Sequence, residues 1–467
     1  MDLTCYLAAT GLYNVSQVLL IEREKDIERI RQCGATPIIY SRPSMKKKKF
    51  NYSSEITDWA QGESYLENDL VLNKQWQARS VKNKYDLIIS DQEFYFPIIT
   101  YYLGVTHYIR IFAGPYDAGN IMDYGYQKCH SSYHVIKETQ MYANDPILDN
   151  LAFVQRYQNL LEMYKRRYNL DNLYKNRIEQ VLVDYSNFDY YKHQKMPDML
   201  VSPIQGVQPL SPANGQFRFI YPSHRLQNHS QTYDMHANLQ AFIDFHKQII
   251  IISFGTLVQP DEETIRQLEK FIYERPGYGF IIKSYRKNKS QDIRHHKVWV
   301  LREGLPQRFL LSQTYVKAFI THGGCSSILE SLQNAKPMIV LPVTFDQIMN
   351  CKHVQELNLG TCIKTKNIRN DLHKAIEKIE NGLHEKDLQI YSNLIEFETK
   401  FGDTFLDVIN DIFEVPINVE KPPMSIYRKM NTLQYFDADV YLAIYLLLII
   451  SFTIMIAFMM HIKKKLI

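Results

Sequence analysis

Two kinds of hydrophobic spacing alternate along this chain. Short continuous apolar runs are separated by longer stretches in which apolar residues recur every three or four positions, so strands are expected to alternate with helices. The clearest runs lie in the second half: Ile249–Phe254, Gly279–Lys283, Lys297–Leu301, Ala318–Thr321, Met338–Leu341 and Thr361–Lys364. Such runs suit strands buried on both faces of a parallel sheet. Helical spacing predicts helices over Asn238–His246, from Asp261 to Glu274, from Ser326 to Asn334, and over Asp371–Glu380 and Glu385–Phe401. The first half is read the same way: Leu3–Ala8 as a strand, Val18–Arg31 as a helix capped by Gly34, and Thr36–Tyr40 as a strand. Strands at Tyr85–Ser90 and His107–Phe112 flank a helix at Pro97–Leu103. Residues 52–84 are polar with helical character, and a tyrosine-rich region from 120 to 191 contains one or two amphipathic helices over Met141–Tyr168. Pro203, Pro209, Pro212 and Gly215 make Val201–Gln216 loop-like, and polar residues 222–235 read as a linker. The alternation in both halves predicts two doubly wound α/β domains, 1–221 and 236–430, facing across a cleft.

The last pattern is of another kind. Val440 to Met460 carries 21 residues without a charge. At about 1.5 Å per residue a helix there spans roughly 30 Å, the thickness of a bilayer core. Asp437 and Asp439 precede it, and His461 and Lys463–Lys465 follow, so positive-inside bias puts the tail, 461–467, in the cytosol. The first strand–helix–strand unit starts almost at Met1, with no charged and apolar leader before it. Two topologies stay open: lumenal lobes with a short N-terminal segment missing from the sequence, or cytosolic lobes behind a terminal span that inserts alone.

Composition narrows the field. At 467 residues, with 45% hydrophobic residues and 13% aromatics, the chain can fill two or three cores. A net charge of +4 from dispersed basic residues argues against nucleic acid as a partner. The run Lys46–Lys49 reads as a solvated loop, and the tyrosines of 120–191 as packing residues. Six cysteines (5, 33, 129, 325, 351 and 362) show no metal-binding spacing and permit disulfides without demanding them. Sequons at Asn14, Asn51, Asn228 and Asn288 do not decide the compartment.

The candidate chemistry lies between Glu303 and Asn350. A strand ending at Thr321, a turn His322-Gly323-Gly324, and a helix from Ser326 would present backbone N–H groups and a positive helix end to an anion such as phosphate. Ser326 and Ser327 lie in the first turn, and Glu330 shares their face one turn deeper, placed to accept hydrogen bonds from a ribose. A second strand ends at Pro342, with Asp346-Gln347 on the loop after it at the same carboxyl edge.

This stretch resembles the donor-binding signature of the UDP-glycosyltransferases, the family that includes the membrane-bound UDP-glucuronosyltransferases. The likeness rests on Leu305-Pro306-Gln307, Ala318-Phe319-Ile320-Thr321-His322, the glycine turn, Glu330, Pro337, Pro342 and Asp346-Gln347. It implies the GT-B architecture, two Rossmann-like domains, here with one C-terminal transmembrane helix. It also implies inverting transfer from a UDP-sugar to a small lipophilic acceptor, with no metal and no cofactor beyond the UDP-sugar co-substrate. By the resemblance, His322, Gly324, Ser326 and Ser327 meet the diphosphate, with Gly255-Thr256 beside it. Glu330 meets the ribose, Gln307 the ribose or base, and Asp346-Gln347 the sugar hydroxyls, while Lys283 replaces a basic residue near the donor.

Two positions depart from the family pattern. Gly304 stands where many members stack uracil on a tryptophan, leaving Trp299 or an N-lobe aromatic for that task. In the first strand–helix loop, Leu12 stands where the catalytic histidine is expected, although Asp91 fits the aspartate that orients it, and His107 is the fallback base. These departures keep open a second reading, a catalytically impaired homologue that binds nucleotide sugar, and the absence of a leader keeps open a third, a cytosol-facing transferase acting on a lipid-linked acceptor. The span and the Lys464-Lys465-Leu466-Ile467 ending fit a single-pass endoplasmic-reticulum membrane protein, and a homo-oligomer is compatible with this plan.

Overall fold

The computed structural model describes residues 3–19, 24–39, 85–90, 105, 107–111, 199–202, 217–220, 237–255, 260–283, 296–301, 305–343, 346–364, 366–414 and 438–465. In the first half these form α1 (Leu3–Ala9), β1 (Ser16–Leu19), α2 (Glu24–Gln32), β2 (Thr36–Ile39), β3 (Leu87–Ser90), β4 (His107–Ile111), β5 (Met199–Ser202) and β6 (Phe217–Phe219). The second half runs α3 (Ala237–His246), β7 (Ile249–Ser253), α4 (Glu262–Glu274), β8 (Gly279–Lys283), β9 (Val298–Leu301), α5 (Gln307–Leu311), β10 (Val316–Thr321), α6 (Cys325–Gln333), β11 (Met338–Val340), α7 (Asp346–Glu356) and β12 (Gly360–Cys362). It closes with α8 (Ile368–Glu380), α9 (Glu385–Phe401), α10 (Phe405–Glu414) and α11 (Ala438–Lys465).

The six-stranded sheet has the order β12-β11-β10-β7-β8-β9, and its pairings are all parallel. The order reverses direction between β7 and β10, as expected of a doubly wound sheet. Strand β7, Ile-Ile-Ile-Ile-Ser, is buried at every position because helices cover both faces. Ile250 and Ile252 pack with Leu268, Phe271 and Ile272 of α4 and Leu372, Ala375 and Ile376 of α8. Ile249 and Ile251 point the other way, into a cluster with Leu239 and Ile243 of α3, Leu310 and Leu311 of α5, and Phe319 of β10. Toward β11, Met338 and Val340 pack with Ile328 and Leu332 of α6 and Leu388 and Ile395 of α9. Helix α4 starts where expected, with the Asp261 carboxylate accepting the Thr264 backbone N–H at 2.7 Å.

In the first half, β1 pairs parallel with β2, and β3-β4-β5-β6 form a second parallel sheet. Helix α10 packs here: Phe405, Val408, Ile409 and Ile412 share a cluster with Leu7, Ile109 and Ile220, and the Tyr13 hydroxyl donates to Asn410 Oδ1 at 3.1 Å.

Two expectations need correction. Leu3–Ala8 is not a strand but most of α1, which sets Leu3, Tyr6 and Leu7 on one helical face against the α10 cluster. A disulfide from Cys5 to Cys33 ties this helix to the end of α2. An apolar run this short fits either period, and here packing decides it. Val18–Arg31 is divided: Ser16–Leu19 extends beside Thr36–Ile39, and the helix starts only at Glu24. The expected helices at Pro97–Leu103 and Met141–Tyr168, the polar stretch 52–84 and the linker 222–235 lie outside the described residues, as does most of the loop 201–216, whose first two residues belong to β5.

Helix α11 includes Tyr441–Ile462, 22 residues containing an 18-residue window of mean hydropathy 2.7, none of it buried. It is long and apolar enough to cross a membrane.

Phe319 is fully buried in a central strand, so Phe319→Ala should cost about 3–5 kcal/mol, while removing a comparable ring from an exposed surface changes stability by within about 0.5 kcal/mol. Phe397 on the outer face of α9 is 57% exposed and supplies the control. Urea midpoints of the two alanine variants, read at unchanged slope, check this contrast.

Candidate functional site

Ser253, the last residue of β7, lies opposite Thr321, the last of β10, so both chains leave the sheet at the same level. Gly255 follows the first strand and His322-Gly323-Gly324 the second, at the point where the strand order reverses and a crevice opens.

The His322 ring fills the space that two missing side chains leave. A Cβ on Gly255 would stand 2.8 Å from ring atoms Cε1 and Nε2, and one on Gly324 would stand 2.7 Å from Nε2. The two glycines are there so that an imidazole can lie between the backbones. Burial, with the charge of Lys283 nearby, lowers the His322 pKa from 6.5 to about 4, so the ring is neutral at neutral pH. Lys283, at the end of β8, is itself pushed below the usual lysine value by burial.

Gly324 is the N-cap of α6, with extended dihedrals (φ −65°, ψ 143°) and no capping side chain. The positive end of the helix dipole and its first-turn N–H groups therefore lie at this edge without a carboxylate or hydroxyl cap. Ser326 is exposed in the first turn, and Ser327 is turned inward. Gln307, the first residue of α5, donates from Nε2 to Ser327 Oγ at 3.3 Å and to Glu330 Oε2 at 2.7 Å. Arg308 donates from Nε to Glu330 Oε1 at 3.2 Å. The structure thus joins Gln307, Ser327 and Glu330, and adds Arg308, whose only signal in the sequence is that it follows Gln307.

Asp346-Gln347 do not sit on a loop; they are the first two residues of α7, where an acidic residue suits the helix dipole. Gln347 is 5% exposed and accepts the Val343 backbone N–H on Oε1 at 3.0 Å, which holds the chain leaving β11. Asn350, one turn further on, donates from Nδ2 to the Gly323 carbonyl at 2.8 Å and so buttresses the glycine turn. Sequence reasoning missed Asn350, although its spacing from Asp346 and Gln347 puts it on their face of the helix.

Of the expected acid–base residues, Leu12 and His107 lie among the described residues. Leu12 is 70% exposed in the turn between α1 and β1, so it precedes the first strand rather than following it. The first strand-to-helix connection is residues 20–23, which lie outside the described residues, as do Asp91, Thr256 and Gly304. His107 is the first residue of β4 and pairs with Leu87, the first of β3, whereas Asp91 follows Ser90 at the other end of β3. His107 is buried and meets the Phe413 ring edge-on at 5.3 Å. Among the described residues, no cluster of three or more His, Cys, Asp or Glu is placed to hold a metal ion.

A sequence profile of the family described as UDP-glucoronosyl and UDP-glucosyl transferase matches residues 23–394. A putative UDP-glucuronosyltransferase of Caenorhabditis elegans is 27% identical over 212 residues, 41% of this chain and 40% of that protein. The ecdysteroid UDP-glucosyltransferase of Lacanobia oleracea granulosis virus is 28% identical over 162 residues, 33% of each chain. The chain spans from about a quarter to two fifths of the length of the curated relatives it matches. In structure it is similar to a UDP-glucose:anthocyanidin 3-O-glucosyltransferase crystallised with UDP, at TM-score 0.57 and 13% identity over 88% of this chain and 94% of that one. That likeness bears out the two-domain GT-B fold.

The depressed His322 pKa sets a pH dependence. Below about pH 6.5 the unfolded chain binds a proton at this ring, while the folded chain does not until about pH 4. Its contribution to stability is therefore lost as pH falls through that window. His353 is also lowered to about 4 by burial and acts in the same direction. His322→Gln should narrow the difference between urea midpoints at pH 7 and pH 5, and an unchanged difference would assign the acid sensitivity to other histidines lowered by burial, His353 and His384.

Proposed function

The chain belongs to the UDP-glucoronosyl and UDP-glucosyl transferase family, and from that premise we propose that it transfers a hexosyl or glucuronosyl group from a UDP-sugar to a small lipophilic acceptor, with inversion and without a metal. The observation that carries this reading is the strand–glycine–helix turn at the switch point, with the Gln307–Ser327–Glu330 network beside it. The neutral His322, the open first turn of α6 and the Lys283 cation form an environment for a diphosphate whose charge grows as the sugar leaves. On this reading Glu330, held by Gln307, would accept the ribose hydroxyls, and Asp346 and Gln347, the first residues of α7, would meet the sugar. A lipophilic acceptor is supported by the viral relative, whose name gives an ecdysteroid as its acceptor.

One observation favours a second reading, a homologue that binds nucleotide sugar but transfers slowly. The connection between β1 and α2 reads Leu20-Ile21-Glu22-Arg23 and contains no imidazole. A general base contributes roughly 10²–10⁴-fold, while leaving-group stabilisation survives without it.

For location, we read α11 as a single membrane span with its trailing lysines in the cytosol. The Cys5–Cys33 and Cys351–Cys362 disulfides support an oxidising compartment, hence the lumen of the endoplasmic reticulum, for both halves.

Three measurements test these readings. Purified protein offered a panel of UDP-sugars with phenol and amine acceptors should release UDP in step with product, and binding without turnover would select the second reading. Glu330→Ala should weaken UDP by about 1–3 kcal/mol, since a charged acceptor is removed; calorimetry showing unchanged affinity in a folded variant would remove Glu330 from the ribose. In sealed microsomes a tag on the tail should be cut by added protease while both lobes are protected.

A further inference from the structure

Arg308 is a charged group at the donor edge to which the reading above gives no task. Its position is specific. Glu330 is 16% exposed and Arg308 31%, and the guanidinium Nε lies 3.2 Å from Glu330 Oε1. Gln307 holds the other carboxylate oxygen, Oε2, at 2.7 Å. Two consecutive residues at the start of α5 thus grip the two oxygens of one carboxylate on α6.

An ionised carboxylate has about four lone-pair sites, so two donors leave two for a ligand. A carboxylate held on only one oxygen can swing about its last bond, and a pair of vicinal hydroxyls then has no fixed acceptor to meet. Holding both oxygens sets the plane of the group before the ligand arrives, which reduces the ordering cost of binding. There is also an electrostatic part. Glu330 lies one turn from the helix end that the diphosphate would occupy, and an unpaired anion there would oppose it. The arginine offsets that charge without taking the remaining lone pairs.

We propose that Arg308 is a positioning residue for nucleotide selection: by fixing Glu330 it makes the site discriminate a ribose diol from a sugar lacking those hydroxyls. The proposal rests on Glu330 being the ribose acceptor, and the experiment separates the two ideas. Full-length protein in detergent is titrated by calorimetry with UDP and with 2′,3′-dideoxyuridine 5′-diphosphate. The unmodified protein should prefer UDP by at least about tenfold, as expected for hydrogen bonds to a charged acceptor. In Arg308→Ala the preference should fall to about threefold or less, mostly through weaker UDP binding. Arg308→Lys, which keeps the charge and one donor, should retain an intermediate preference. Arg308→Met, which keeps the aliphatic stem, is read in parallel so that lost packing is not mistaken for lost orientation.

A merely structural staple between α5 and α6 would lower the affinity for both nucleotides equally and leave their ratio unchanged. That result in the alanine and methionine variants overturns the proposal while leaving Glu330 in place. No preference in the unmodified protein overturns the ribose assignment itself, and the role of Arg308 with it.

Discussion

The narrow fit of the His322 ring between two glycines is the constraint on which the rest of the donor half depends. It requires β7 and β10 to be neighbours and in one register, since Gly255 and Gly324 reach the same ring only if both strands end at the same level. That adjacency is the point of reversal in a doubly wound sheet. It also requires the sheet to be rigid at its centre, which the fully buried isoleucines of β7 and the two helical layers provide. The half-buried ring stays neutral beside the first turn of α6.

Around that centre the side chains form two braces. Asn350 and Gln347 on α7 hold the glycine turn and the exit of β11 through backbone groups. Gln307 and Arg308 on α5 hold Glu330 through its carboxylate. The first brace fixes where the backbone donors are, and the second fixes where the acceptor is. A nucleotide carries both kinds of partner, an anion that needs donors and a diol that needs an acceptor. The separation of the braces onto different helices lets each be set by its own packing.

How much of this was legible depended on whether the signal was local. Strands such as Gly279–Lys283 and the Asp261 cap appear at the residues expected, because continuous apolar runs and capping side chains act within a few residues. The set from Gln307 to Gln347 was legible as a motif, and the structure joins Gln307, Ser327 and Glu330 by hydrogen bonds. Arg308 was not legible, since an arginine next to a glutamine says nothing about a carboxylate 22 residues later. The first half was harder to read. Leu3–Ala8 is apolar enough for a strand, and only its packing under α10, some four hundred residues later, makes it helical. The divided segment 16–32 fails for a related reason: Val18 and Leu19 fit a helical period but pair with Ile38 and Ile39.

That revision changes the argument about catalysis. Leu12 counted against a base only while it was placed in the first strand-to-helix loop, and the structure puts it ahead of β1, exposed in a turn. The loop that replaces it, residues 20–23, has no imidazole either, but it does contain Glu22. The two readings of the chain therefore divide over the first half alone. The donor half works by fixed dipoles and held side chains, and stabilising a departing diphosphate requires no proton transfer. An acceptor hydroxyl does require one. An acceptor acidic enough to reach the site already ionised would need no imidazole to take its proton.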